Sequence, residues 1–358
     1  MISLAGGLPD PSLFPTDALA EIASTVIRAK GGSTLQYGLT AGEVDFREHL
    51  VATIPSATDV DRVVVTTGSQ QALHLLAGVL IDPGDAVAVA DPEYLGAMQA
   101  FRAAGAEPAS FPTDADGLVV EQLESALEDG LRPKLVYLVP HFHNPSGSTL
   151  SAARLNRLLE LASTFEFLVI LDDPYRDLYV DGATPVEIAP HPMAVHLRST
   201  SKILAPGLRV GWLIGPAWLA TAVERAKQSA DLHTSTITQA IALAALQADW
   251  YPSHLHTLRS AARTKRDALC NALDAELEGR ISFDRPDGGM FVWAQIDGVA
   301  STDQLLGSAL DHGVAFVPGS AFAVDRDLSS YLRLSWATAT PSELSEGVSR
   351  LATATRAT

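Results

Sequence analysis

A single cysteine, Cys270, serves a chain of 358 residues, which excludes an intramolecular disulfide framework and any cysteine-rich metal site. Positive charge is scarce as well: 25 Lys and Arg stand against 42 Asp and Glu, a net charge of −17. A surface of that sign repels phosphate backbones and anionic lipid, so neither nucleic acid nor membrane is an expected partner. No apolar run reaches the ~18 residues of a membrane span, and no basic-then-apolar leader opens the chain. No fixed-period repeat is present, which removes solenoids and propellers. The expectation is a soluble cytoplasmic protein, long enough for two domains at roughly 100–200 residues each.

What is present is an alternation of short apolar runs with helical spacing. Val63–Val65, Ala86–Ala90, Leu135–Val139, Phe167–Leu171, Val195–Leu197 and Val210–Ile214 read as strands. Leu73, Leu76, Ala77 and Leu80 recur at i, i+3, i+4 and i+7, as do Leu155, Leu158, Leu159 and Ala162 with closely similar spacing, each marking one face of a helix. Strands without strict alternation suit a sheet covered by helices on both faces, and strand–helix–strand order argues for a mainly parallel one. Beyond Asp231 the texture shifts to long helical patterns, over about Thr236–Asp249 and Ser253–Leu273. Strand-like stretches at Gly289–Ile296, Val314–Val317 and Tyr331–Trp336 follow. Thr340-Pro341-Ser342-Glu343 is a capping box with proline at the first helical position, announcing a last helix. We expect an N-terminal segment (1–40), a large α/β domain (41–250) and a smaller α+β domain (251–358).

Four clusters at strand ends carry chemistry. In Ser199-Thr200-Ser201-Lys202, with Arg209 seven residues beyond the lysine, a lysine between two strands is surrounded by anion ligands. A lysine that forms a Schiff base must lose its proton, which burial and neighbouring positive charge promote. Thr67-Gly68-Ser69-Gln70-Gln71 follows a strand and opens a helix, where free N–H groups favour a phosphate. Asp172, in Leu171-Asp172-Asp173-Pro174-Tyr175, ends an apolar strand, and a buried carboxylate there needs a positive partner such as a pyridinium nitrogen. His143-Asn144-Pro145-Ser146-Gly147 follows another strand, with Asn144 able to donate to an oxyanion.

The string Ser-x-Ser-Lys-x-Leu-x-Pro-Gly-x-Arg-x-Gly-Trp, followed back to Asn-Pro-x-Gly and Asp-x-Pro-Tyr, resembles the pyridoxal-phosphate aminotransferases of class I/II. The closest likeness is to 2-aminoadipate aminotransferases and the aminotransferase domains of MocR-type regulators. The resemblance runs from Leu4-Ala5-Gly6-Gly7-Leu8-Pro9 to Leu332-Arg333-Leu334-Ser335. It implies a fold type I transferase, with a mainly parallel sheet flanked by helices in a large domain plus a smaller α+β domain. It also implies a transaminase working by a ping-pong cycle through an aldimine on Lys202. Asp172 would pair with the pyridine nitrogen, Asn144 and Tyr175 would bond the phenolic oxygen, and Tyr94 would stack on the ring. Gly68, Ser69, Gln70, Ser199, Ser201 and Arg209 would surround the phosphate. Tyr37 would reach it from a second subunit of a homodimer, in which the N-terminal segment takes part. Arg333, beside Asn144, would clamp the substrate carboxylate.

The same resemblance implies relatives with a longer N-terminal segment over the site than precedes Leu4-Ala5 here. The expectation is a more open mouth and a bulkier amino acid than aminoadipate, such as an unusual amino acid of a biosynthetic pathway. Other reactions of the aldimine, such as elimination, decarboxylation or racemisation, stay open on the fold alone. A PLP-binding regulator would need a basic DNA-binding domain, and a nicotinamide dehydrogenase a Gly-x-Gly-x-x-Gly opening a helix; the chain has neither. His141-Phe142-His143 lacks an acid at ligand spacing, so no metal is expected and substrate or supporting contacts are preferred. His254 and His256 read as surface residues, and Cys270 as packing.

Overall fold

The computed structural model describes residues 1–54, 59–181, 184–185 and 188–357. After a short first strand, β1 (Ile2–Ser3), eight strands form the large sheet. They are β2 (Val63–Thr66), β3 (Ala86–Asp91), β4 (Glu107–Asp114), β5 (Gly117–Leu118), β6 (Leu135–Leu138), β7 (Leu168–Asp172), β8 (Ala194–Ser199) and β9 (Gly211–Ile214). Their spatial order is β2-β9-β8-β7-β6-β3-β4-β5. The five from β8 through β7, β6 and β3 to β4 are parallel. Every residue of β2, β6, β7 and β9 is buried, as expected of strands covered on both faces.

Two differences from the sequence reading have plain causes. The run at Val210–Ile214 forms β9 antiparallel to both β8 and β2, because only residues 200–210 lie between β8 and β9. That is too short for the helical crossover that parallel neighbours use. The strand β4 escaped notice because it begins with Glu107, ends with Asp114 and carries Pro108 and Pro112. Proline is tolerated where a strand needs no donor at that position, so the propensity signal fails there.

The second sheet is antiparallel, built from β10 (Ile281–Phe283), β11 (Phe291–Ile296), β13 (Val317–Pro318) and β14 (Tyr331–Ser335), in the order β10-β11-β14-β13. The short β12 (Val314–Ala315) instead pairs in parallel with β1, tying the chain's start to this sheet. The capping box forms as read: Glu343 N–H donates to Thr340 Oγ1 (3.3 Å) and Thr340 N–H to Glu343 Oε2 (2.8 Å), opening the helix Pro341–Ala357. The helix Tyr251–Glu276 serves both halves. Leu258 packs on the core of the large sheet, while Leu269, Cys270 and Leu273 join that of the small one. Cys270 is fully buried, and burial pushes its thiol up to about 11, so it packs as an inert apolar group.

Candidate active site

The predicted residues converge because the sheet is parallel. Asp91, Leu138, Asp172 and Ser199 end β3, β6, β7 and β8, so the segments that follow all leave from one edge, where open α/β sheets bind ligands. Two reversals, through β8 to β9 and β9 to β2, bring the end of β2 and the turn at Gly68 to the same edge.

Asp172 is 2% exposed. Its Oδ2 accepts from the Tyr137 hydroxyl (3.1 Å), while Oδ1 is buried without a partner among the described residues. Burial pushes the carboxyl up to about 7, against the pull of the Tyr137 hydrogen bond and with the charges of Asp173 and Glu93 adding to the rise. Lys202 sits in the connection from β8 to β9, its Nζ donating to the carbonyl of Gly7 (2.7 Å) and lying 5.9 Å from the centre of the Tyr175 ring. Burial, helped by the positive charges of Arg333 and Arg209, brings its amine down to about 8. A lysine so placed has a sizeable neutral fraction near neutrality, as a nucleophilic amine requires.

Arg333 projects from β14 between two rings, its guanidinium carbon 4.1 Å from the centre of Phe291 and 4.9 Å from that of Phe322. Nη1 donates to Asn144 Oδ1 (2.8 Å) and Nη2 to the Ala5 carbonyl (2.7 Å), while buried Nε has no partner among the described residues. Burial lowers even this guanidinium, to about 10. Burial raises the pKa of the Tyr175 hydroxyl against the pull of Asn144, so that the phenol stays protonated.

At the other end of the cleft Gly68 adopts φ +83°, and a Cβ there would stand 2.5 Å from Arg209 Nη2. Glycine is needed for the backbone angle, and the arginine fork lies close over it. Arg209, itself at φ 51°, donates from Nη2 to the Thr67 carbonyl (3.0 Å). Gly68 is the N-cap of the helix Ser69–Leu80 and has no side chain to satisfy its first turn, leaving N–H groups and a positive dipole end for an anion. Ser199 Oγ donates to Ser201 Oγ (2.8 Å) beside it in the chain's next turn. Tyr94 donates to Gln70 Oε1 (3.2 Å), and Gln70 Nε2 to the Gly96 carbonyl (2.8 Å), linking ring and cup.

Tyr37 stands apart. It is 77% exposed and meets the His233 ring edge-on at 5.8 Å. Sequence reasoning missed the carbonyls of Ala5 and Gly7, the Phe291–Phe322 clamp and Tyr137. Tyr137 carried a usable signal: a phenol in a wholly apolar strand must find a hydrogen-bond partner. His254 is a correction. Its Nε2 donates to the Ile203 carbonyl (2.9 Å) and its ring meets Trp250 edge-on at 5.8 Å, because the start of its helix lies against the Lys202 loop; His256 is exposed.

Comparison with known proteins gives the family. The family described as aminotransferase class I and II matches residues 5–351. The aromatic-amino-acid aminotransferase 1 of Thermococcus litoralis is 37% identical, over 98% of this chain and 87% of its own. A solved α-aminoadipate aminotransferase of Thermus thermophilus, complexed with N-(5'-phosphopyridoxyl)-L-leucine, superposes with a TM-score of 0.94 at 37% identity, over 100% of this chain and 92% of that one. A kynurenine aminotransferase of Pyrococcus horikoshii, solved with PMP, gives 0.95 at 36% identity, over 100% and 91%. The chain belongs to the class I and II aminotransferases, and is a pyridoxal-phosphate enzyme that moves amino groups between amino acids and 2-oxo acids.

Proposed function

We propose that Lys202 is the residue that holds the cofactor covalently and carries the substrate proton, in a homodimeric aminotransferase acting on amino acids with large side chains. The observation that carries the assignment is the buried, unpartnered Oδ1 of Asp172: an orphaned acceptor in low dielectric calls for a cationic N–H donor. A protonated pyridine nitrogen is such a donor. The Gly68 turn with Arg209 and the helix N-terminus suits the phosphate, so the residues present fit pyridoxal phosphate.

When bound, that cofactor supplies an aldehyde carbon that exchanges amino groups and a ring that takes up the electron pair left as the Cα proton departs. The protein's own groups do the rest. Asp172 would keep the ring nitrogen protonated. Asn144 and Tyr175 would bond the phenolic oxygen, and Tyr94 would cover the ring. Gly68, Ser69, Gln70, Ser199, Ser201 and Arg209 would hold the phosphate. Lys202 Nζ is the group that would bond the aldehyde carbon and, when free, would carry the proton from the substrate Cα. Arg333, already presenting its fork between Phe291 and Phe322, takes the substrate carboxylate. Two substrates must use this cleft in turn, which gives parallel lines in double-reciprocal initial-rate plots.

Leu8, Leu35, Tyr37 and Leu39 are each more than half exposed, an apolar strip in the first forty residues that a second copy would cover, with Tyr37 reaching the partner's phosphate. We divide the chain into this segment (1–40), a large cofactor-binding domain (41–250) and a small domain (251–358). The cytoplasm is its compartment in this reading, which suits one buried, free cysteine. No helix among the described residues is long and apolar enough to cross a membrane. The substrate class rests on relatives that act on aromatic and aminoadipate substrates and on the aromatic flanks of Arg333. Borohydride trapping followed by peptide mapping places the label on Lys202; a label elsewhere, or none, overturns the assignment. Specificity constants for aromatic, aminoadipate and small amino acids test the substrate class, which a preference for alanine would remove.

A further inference from the structure

The histidines flanking Phe142 are each held by a carboxylate from a different neighbouring strand. His141 Nδ1 lies 3.0 Å from both oxygens of Asp173, directly after β7. His143 Nε2 lies 3.1 Å from Glu93 Oε1, just beyond β3. The strand β6, which delivers both histidines, lies between β7 and β3. Phe142 between them takes φ 53°, and its ring fills the space beside two glycines: a Cβ at Gly288 would stand 2.6 Å from it, and one at Gly289 2.7 Å from its Cβ. The loop after β6 is therefore pinned on three sides.

The Glu93–His143 contact is the one nearest the chemistry. Glu93 is wholly buried and His143 nearly so. Glu93 Oε1 accepts the Tyr94 N–H (2.6 Å) and Oε2 the Ala90 N–H (3.2 Å), so the carboxylate is fully engaged. The Ser146 N–H points at His143 Nδ1 (3.4 Å), and Ser146 Oγ lies 2.8 Å from it. Nδ1 is thus an acceptor, which assigns the ring proton to Nε2, facing Glu93. Glu93 directly precedes Tyr94, and His143 directly precedes Asn144, whose Oδ1 receives Arg333. A buried pair of this kind adds little net stability over an apolar one of the same shape. What it does supply is a fixed distance between two loops.

We propose that Glu93 and His143 are positioning residues for amino transfer: their buried contact sets Tyr94 and Asn144 relative to one another, and so sets the ring-covering and phenolic-oxygen contacts of the cofactor. This rests on the reading of the site given above. A loop free to shift by an ångström would leave those contacts badly aligned, and each poorly met buried group costs on the order of a tenfold change in affinity.

The test compares the holoenzyme with Glu93→Gln, His143→Leu, His143→Gln and the double variant Glu93→Gln/His143→Leu. It follows the dissociation constant of pyridoxal phosphate by dialysis and the circular dichroism of the bound cofactor's visible band, alongside the unfolding midpoint and kcat and KM. His143→Leu and Glu93→Gln each weaken cofactor binding on the order of tenfold, shrink the dichroic band and lower kcat more than they raise KM. The double variant is no worse than the poorer single, because the two residues act through one contact. His143→Gln, which keeps a donor toward Glu93, recovers most of the loss. Wild-type affinity and dichroism in the single variants, or losses that multiply in the double, overturn the proposal. Borohydride labelling of the same proteins separates the two readings: absence of label at Lys202 in wild type defeats the site assignment, while labelling at Lys202 with unaltered variants defeats only the pair.

Discussion

Lys227 is wholly buried and Lys202 half-buried, and the regions around them treat the charge in opposite ways. Lys227 donates to both carboxylate oxygens of Asp231 (2.6 and 2.8 Å) and to Gln71 Oε1 (3.1 Å). Asp231 Oδ2 accepts in turn from Gln71 Nε2 (2.6 Å) and Thr67 Oγ1 (3.1 Å). Charge and counter-charge close on each other beneath the Thr67–Gly68 turn. Lys202 has a backbone carbonyl and two arginines for company, and no acid among the groups that shift it. Asp172 likewise keeps an oxygen unmet. Closed networks hold a scaffold in shape; open ones leave an interaction for a ligand to complete, which is where perturbed groups become functional.

The sharpest break between the two regions comes from removing each lysine. Lys202→Ala lowers turnover by more than about a thousandfold, the scale of a lost proton carrier, and leaves the unfolding midpoint near wild type. Next comes Asp172→Asn, which leaves the ring nitrogen without its anion. Cofactor affinity falls by about a hundredfold or more, since breaking a buried pair costs roughly 3–5 kcal/mol. The same carboxyl gives the cofactor-free protein a pH signature. Its folded pKa of about 7 lies above the ordinary aspartate value of 3.8, so the folded state keeps a proton that the unfolded chain releases. Stability then falls as pH rises from about 4 to about 7, and the Asn variant flattens that slope in urea titrations. Smaller again is Lys227→Met. It strands Asp231, whose side chain is 27% exposed and can rehydrate, so about 1–3 kcal/mol of stability is lost. Borohydride labelling at Lys202 persists. A Lys227 variant that lost the label instead would erase the distinction.

The sequence made the site more legible than the frame around it. Lys202, Arg209, Asp172 and Asn144 could be found because their chemical types stand at strand ends, and strand ends in a parallel sheet converge. The frame's exceptions are places where packing overrode local pattern. The prolines of β4 masked a strand, and a connection too short for a crossover turned β9 round. Contacts made across long sequence distances were out of reach. Gly7 meets Lys202, and Ala5 meets Arg333, only after β1 has paired with β12. No periodicity in the first ten residues encodes where that pairing will set two carbonyls. Tyr37, exposed on the single chain, would find a role only in the proposed homodimer.

His254 tests whether the Lys202 loop belongs to the scaffold or to the chemistry. Its Nε2–H is bonded to the carbonyl of Ile203, the residue after Lys202, and burial lowers its pKa against the pull of that bond. The neutral ring can therefore serve as the donor at neutral pH. His254→Phe keeps the edge-on contact with Trp250 but leaves a half-buried carbonyl without this donor, a loss of about 1 kcal/mol in urea unfolding. His256→Ala, two residues on and exposed, changes neither stability nor rate. If the loop is scaffold, the His254 variant loses stability while kcat stays within about twofold of wild type, since a bond to the Ile203 carbonyl does not touch the reacting atoms. A drop in kcat with an unchanged midpoint would instead move Ile203 and its tether across the line, to the side of Lys202.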